Sequence, residues 1–171
     1  MEEVRLTPTS YVVLGLIEWM QPATAYDLKV AAKMAVSNLW ALPHTQLYSE
    51  CGRLAEAGLL DEEREPEGRR RRIYRLAGPG REAIEAWRAD VSPTGWELRD
   101  AGLLKLFFGS DPAALAASQL EAHRARLAEY EGLRETAAAM PDGMRLTLES
   151  GIGHEREYLR FWEAIAAGEE P

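Results

Sequence analysis

Two stretches of this sequence have the residue types and spacing to do chemistry, one a run of arginines and the other a helical pattern with a polar face. The first is EPEGRRRRIYRLAGPG, residues 65–80, with five of the chain's 20 basic residues, four of them consecutive (Arg69, Arg70, Arg71 and Arg72). Long guanidinium stems at a turn reach phosphates or enter a narrow A·T-rich minor groove. The second is HTQLYSECGRLAEAGL, residues 44–59. Leu47, Cys51, Leu54 and Gly58 recur there at helical spacing, so Thr45, Gln46, Ser49 and Arg53 face the other way. Thr45 and Gln46 sit in the first turn, the part of a recognition helix that reaches base edges. Gln bonds adenine bidentately, Arg reaches guanine or phosphate, and Ser or Thr serves either. Tyr48 flanks this face with a hydroxyl suited to phosphate, and Lys29 and Lys33, four apart on the preceding helix, could add phosphate contacts.

Each signal has a plainer reading. A polar outer face is the norm for any solvated helix. Residues 61–75 hold five acidic side chains beside six arginines, and an acidic strand paired with a basic one satisfies itself through cross-strand ion pairs. The signs are segregated along the chain, however, and Arg69 to Arg71 fall at the turn, where strand partners are few. Contact with DNA is therefore the expectation for the run. Enzyme chemistry is not expected. His44, His123 and His154 show no metal-ligand spacing, Cys51 lies on a core face, and GIGHE (residues 151–155) has no strand before it. No metal or cofactor is implied. Trp87 and Trp162 fit apolar helix stripes, whereas Trp40, in a loop, and Trp96, at a junction, are candidates to line an effector cavity.

The elements that must position these residues follow from periodicity and punctuation. Thr7-Pro8 opens a first helix, apolar on two faces through Tyr11, Val12, Val13, Leu14, Leu16 and Ile17, and Gln21-Pro22 stops it. Thr24 with Asp27 three residues later is a capping-box pattern that starts a second helix. Gly58 ends the third. Residues 59–65 and 71–77 read as two short strands around the turn formers Pro66 and Gly68. Tyr74 and Leu76 point one way, Ile73 and Arg75 the other. A further helix carries Ala83, Ile84 and Trp87. Three helices and a two-stranded hairpin in this order form a winged helix-turn-helix, with the third helix as reader and the hairpin as wing.

SPTG, residues 92–95, marks the expected boundary between a DNA-binding domain over 1–91 and a helical domain over 92–171. Helical patterns run from Asp111 to Met140 and from Met144 to Ala167. Their stripes, which include Leu120, Leu127, Tyr130, Leu148, Ile152, Leu159 and Trp162, look too narrow for an independent core and are expected to pack against a second copy. The fold class is thus mainly α, a winged helix-turn-helix followed by a helical dimerisation domain.

Composition sets limits on partners. The 171 residues carry a formal net charge of −8, and residues 1–90 alone hold 12 basic and 14 acidic side chains, so bulk charge does not make a nucleic-acid binder. One cysteine excludes an internal disulfide framework. No apolar run approaches the ~20 residues of a membrane span, and the glutamates at the N-terminus are unlike a signal peptide. The cytoplasm is the expected compartment.

LTPTSYVVLGLIEW, AYDLK, QLYSECGRLAEAGLL and GRRRRIYRLAGPGREAIEAW, in unbroken order over roughly residues 6–90, resemble the PadR family of bacterial transcriptional regulators. The C-terminal part is similar to that of the family's longer members, with a weaker match. One departure is Ala25, where the family commonly has glycine before the tyrosine of YDLK. The resemblance implies a homodimeric repressor whose C-terminal helices dimerise on a pseudo-palindromic duplex operator, and in some members a small, often aromatic, effector releases the DNA. A winged-helix protein-interaction module, or a ligand sensor that does not bind DNA, remains the alternative.

Overall fold

A computed structural model describes residues 4–36, 40, 42–65, 71–95, 98–135 and 137–171, with the side chains of His44 and Ala138 outside the description. The chain divides into two compact units, Met1–Thr94 and Gly95–Pro171.

In the first unit, α1 (Pro8–Met20) begins at a reciprocal cap in which Thr7 and Ser10 exchange side-chain and backbone hydrogen bonds, with proline at its first position. Val13, Leu14, Leu16 and Ile17 are all buried, so the two-faced apolar pattern does make α1 the centre of its unit. Strand β1 (Ala23–Thr24) leads into α2 (Ala25–Ala35), which opens on a second capping box: Thr24 Oγ1 accepts from Asp27 N, and Asp27 Oδ2 accepts from Thr24 N. The reader helix is α3 (His44–Glu56), followed by β2 (Leu60–Arg64), β3 (Arg72–Leu76) and α4 (Gly78–Ala89). Leu28 of α2, Leu47, Cys51 and Leu54 of α3, Tyr74 of β3 and Ile84 of α4 close around α1.

The sheet has three antiparallel strands, ordered β1-β3-β2, where the sequence pattern indicates a two-stranded wing. Strand β1 is two residues long, too short to leave a periodicity, and exists because β3 offers it a free edge: Ala23 pairs with Tyr74 and Thr24 with Ile73. In the hairpin Leu60 faces Leu76, Glu62 faces Tyr74 and Arg64 faces Arg72. Tyr74 and Leu76 are buried, so the strand alternation holds. Two backbone devices fix the hairpin's base. Gly58, at φ +74°, ends α3 in a double turn in which Leu59 N donates to Leu54 O and Gly58 N to Ala55 O. Gly80 of α4 passes so close to the Leu59 carbonyl that a Cβ there would lie 2.1 Å from its oxygen.

The second unit contains α5 (Ala101–Phe107), α6 (Pro112–Arg134), a 3₁₀ turn at Ala137–Ala139 and α7 (Asp142–Ala167). Asp100 and Asp111 cap α5 and α6 by accepting from Leu103 N and Ala114 N. Helices α6 and α7 form an antiparallel hairpin, as their ion pairs show: Arg124 meets Glu163, Glu131 meets Arg156 and Arg134 meets Glu149. Part of each stripe is covered by the other within the single chain. Leu120, Tyr130, Ile152 and Trp162 are buried within the single chain, and Leu127, Leu148 and Leu159 are half-buried. The two stripes are narrow, but they face each other, and α5 with Leu103 and Leu106 covers one end. Gly151 makes room for the Tyr130 ring, which a Cβ would meet at 3.0 Å. One polar pair is set into the seam. His123 Nδ1 lies 2.6 Å from Glu155 Oε2, and the His123 ring stacks on Tyr158 with centroids 4.7 Å apart.

Candidate nucleic-acid interface

The alternation of buried and exposed residues on α3 sets the site. Leu47, Cys51 and Leu54 anchor the helix, and Thr45, Gln46, Tyr48 and Ser49 face solvent. Ser49 is partly committed, since its hydroxyl donates to the carbonyls of Thr45 and Gln46 at 3.1 and 3.0 Å. Burial pushes the Cys51 thiol up to about 12, which makes it packing rather than a nucleophile. Trp40 is partly exposed in the connection between α2 and α3, and Lys29 is half-buried on α2. Arg69, Arg70 and Trp96 lie outside the described residues.

Arg53 is not a free arm. Its Nε donates to Glu50 Oε2 at 2.9 Å and its Nη2 to Glu50 Oε1 at 2.6 Å, a two-pronged pair, and Nη2 also reaches Ser10 Oγ at 3.1 Å. Ser10, fully buried in α1, donates its own hydroxyl to Glu50 Oε1 at 2.6 Å. The Arg53 guanidinium, and then the Ser10 hydroxyl, hold the Glu50 carboxyl below its ordinary range against the opposing effect of burial. The network ties the middle of α3 to the first turn of α1 and fixes which face of α3 turns outward. Glu50 and Ser10 carried no separate signal in the sequence: one is an acid on a helix full of polar residues, the other half of a capping pair.

The hairpin divides its arginines. Arg72 and Arg64 share Glu62, each at 3.3 Å, and Arg75 faces Glu63 at 3.8 Å. Cross-strand pairing therefore accounts for part of the basic charge, as the balanced composition of residues 61–75 allows. Arg71 is exposed and makes no ion pair among the described residues. Between the start of α2, Tyr48 of α3 and the root of β3 lies a cleft of about 620 Å³ lined by Tyr26, Asp27, Tyr48, Arg71, Arg72 and Tyr74. Tyr26 was missed from sequence because its neighbours read as a cap, and a cap predicts nothing about the side chain one position inside it. Among the described residues no group of three or more His, Cys, Asp and Glu side chains is placed to hold a metal ion, and no helix is long and apolar enough to cross a membrane.

Residues 13–86 match the Transcriptional regulator PadR-like family, and residues 98–167 match the family described as Virulence activator alpha C-term. The Negative transcriptional regulator PadR of Bacillus subtilis (strain 168) is 26% identical over 173 residues, covering 92% of this chain and 94% of that protein. The crystal structure of Bacillus subtilis PadR in complex with operator DNA superposes with a TM-score of 0.81 at 23% identity, covering 96% of this chain and 99% of that one. The structure of the same protein with p-coumaric acid gives 0.75 at 23% identity, over 93% and 96%. At this identity the structural likeness establishes the fold: a winged helix-turn-helix with a helical C-terminal unit. The family is one of regulators rather than enzymes. Residues 13–86 thus carry a PadR-like transcriptional-regulator domain, and with a second family match beyond residue 95 the chain is similar to a PadR regulator over nearly its whole length.

Proposed function

We propose that the chain binds duplex DNA as a homodimer and represses transcription from a pseudo-palindromic site in the cytoplasm. Helix α3 lies in the major groove, and the β2–β3 hairpin lies alongside on the backbone or minor groove. The carrying observation is the outer face of α3, where Thr45, Gln46, Tyr48 and Ser49 stand free of the core, with the exposed Arg71 at the start of β3 lining the same cleft as Tyr48. A relative solved on operator DNA and a relative named a negative regulator support this reading. The second unit, Gly95–Pro171, joins the two copies through its helices. A small aromatic effector, of the class that a relative has been solved with, acts on the spacing of the two reader helices.

Titration of a labelled duplex from the gene's own upstream region, at several salt concentrations, tests the reading. A sequence-specific shift whose logarithmic affinity falls with salt is expected, and a slope near zero would sink it. Alanine at Arg69 to Arg72 should abolish specific binding while gel-filtration mass stays that of a dimer. Binding unchanged by that replacement would favour the second reading, an interaction module for an acidic protein surface.

A further inference from the structure

Some hydrogen-bond donors on the interface already have acceptors within the chain, and others do not. Arg53 is spent on Glu50, Arg64 and Arg72 on Glu62, and Arg75 on Glu63. The Ser49 hydroxyl is spent on its own helix. The hydroxyls of Tyr26 and Tyr48 have no hydrogen-bond partner among the described residues, and Arg71 has no ion pair there. Tyr26 stands on α2, Tyr48 on α3 and Arg71 just before β3, yet all three line the same cleft of about 620 Å³.

The cleft's own acid does not cancel them. Asp27 faces Arg71, but its carboxylate already accepts from Thr24 N at 2.9 Å and Thr24 Oγ1 at 2.7 Å. Those two bonds hold its pKa below the ordinary range, so Asp27 stays an ionised, internally satisfied cap. Because the start of α2 is capped in this way, its backbone is not what the cleft offers. The offer consists of side chains: two neutral O–H donors and one planar cation. Tyr26 is 62% exposed and Tyr48 46%, so neither side chain is locked in the core.

Convergent donors without acceptors call for a ligand with several oxygens and a negative charge. We propose that this cleft seats one backbone phosphodiester of the duplex, held by the Tyr26 and Tyr48 hydroxyls and the Arg71 guanidinium. The assignment rests on the reading that α3 engages duplex DNA. A duplex seated on the outer face of α3 carries a backbone past Tyr48, which stands on that helix, and so past the cleft. This is a positioning contact: it sets the register of α3 in the groove and carries no sequence information. It also gives Tyr26 a role distinct from that of Gln46 one helix away.

The test uses the full-length protein and two duplexes, one from the upstream region and one of arbitrary sequence, the latter at low salt. Tyr26→Phe and Tyr48→Phe each remove one hydroxyl from an exposed side chain, and their melting curves should overlay the wild type. Each is expected to weaken both duplexes by the same factor, about tenfold for one hydrogen bond to a charged group, with an unchanged salt slope. Arg71→Ala should also weaken both and should reduce the salt slope by about 1. Wild-type affinity in all three variants would overturn the proposal, as would a loss confined to the upstream duplex, which would mark base reading. Competition by a nucleoside monophosphate at constant ionic strength would assign the cleft to a free anion and overturn it too. Failure of the DNA reading itself is distinguishable, because the wild-type protein would then bind neither duplex before any variant is compared.

Discussion

At the scale of single residues, the arginine count overstates what is available and the acids decide where it is available. Glu50 turns Arg53 from a candidate base reader into a brace between α3 and α1. Glu50→Ala should cost about 1–3 kcal/mol in urea unfolding, since it leaves the Ser10 hydroxyl and the Arg53 guanidinium without their acceptor. The sign with pH follows from the direction of the shift. The Glu50 carboxyl sits below its ordinary 4.5 in the folded chain, so its contribution is fully present above that value and fades as pH falls through the lower, folded one. Glu50→Gln should flatten that acid limb of a stability-against-pH curve. Cys51 yields a second prediction. With its thiol pushed up to about 12 and fully buried, it should resist a thiol reagent at pH 8 and react at once in denaturant. Labelling of the native protein at the unfolded rate would contradict this. Thr45 and Gln46 were legible because a helix with three fixed apolar positions has only one other side. Tyr26 and Glu50 were not, because what distinguishes them is a partner, or the lack of one, on a different element.

At the scale of elements, the hairpin and the α6–α7 pair show where a one-dimensional pattern suffices and where it does not. The alternation through Ile73, Tyr74, Arg75 and Leu76 specified a strand and its buried face, since a period of two admits one orientation. The two residues of β1 have no period to read and exist only because β3 presents an edge. The stripes of α6 and α7 were visible too, but a stripe does not name what covers it, and intramolecular and intermolecular partners leave the same spacing. Gly58 tests the α3 terminus: Gly58→Ala forces a side chain into φ +74° and should cost about 1–2 kcal/mol, whereas Asn, more tolerant of that region, should cost less. In the helical hairpin, Glu155→Ala strands His123 in the seam. The expected loss is that of a part-buried hydrogen-bond partner, about 1–3 kcal/mol, and pairing it with His123→Ala in a double-mutant cycle should recover much of it. Additive losses would show that the two side chains do not act as a pair.

At the scale of the whole molecule, each unit has its own core. One is built around α1 and the other around Ala116, Leu120 and Trp162. Residues 1–94 expressed alone should therefore unfold cooperatively when followed by circular dichroism, and a broad, non-cooperative loss of signal would show that the first core is incomplete. If the second unit joins the copies, this fragment should bind the upstream duplex far more weakly than the full chain at equal concentration. The net charge of −8, which at first argues against a polyanion as partner, makes the interface local, with donors concentrated on one face of an otherwise repulsive surface. The double duty of Ser10, which closes the cap of α1 with Thr7 and braces Glu50 on α3, also has a genetic consequence. A random-mutagenesis screen for loss of regulation should recover Thr7 and Ser10 together with the α3 positions, although they lie some forty residues upstream and outside the DNA-facing surface. Such alleles should be suppressed by second-site changes that re-anchor α3 to α1, and not by added positive charge on the hairpin.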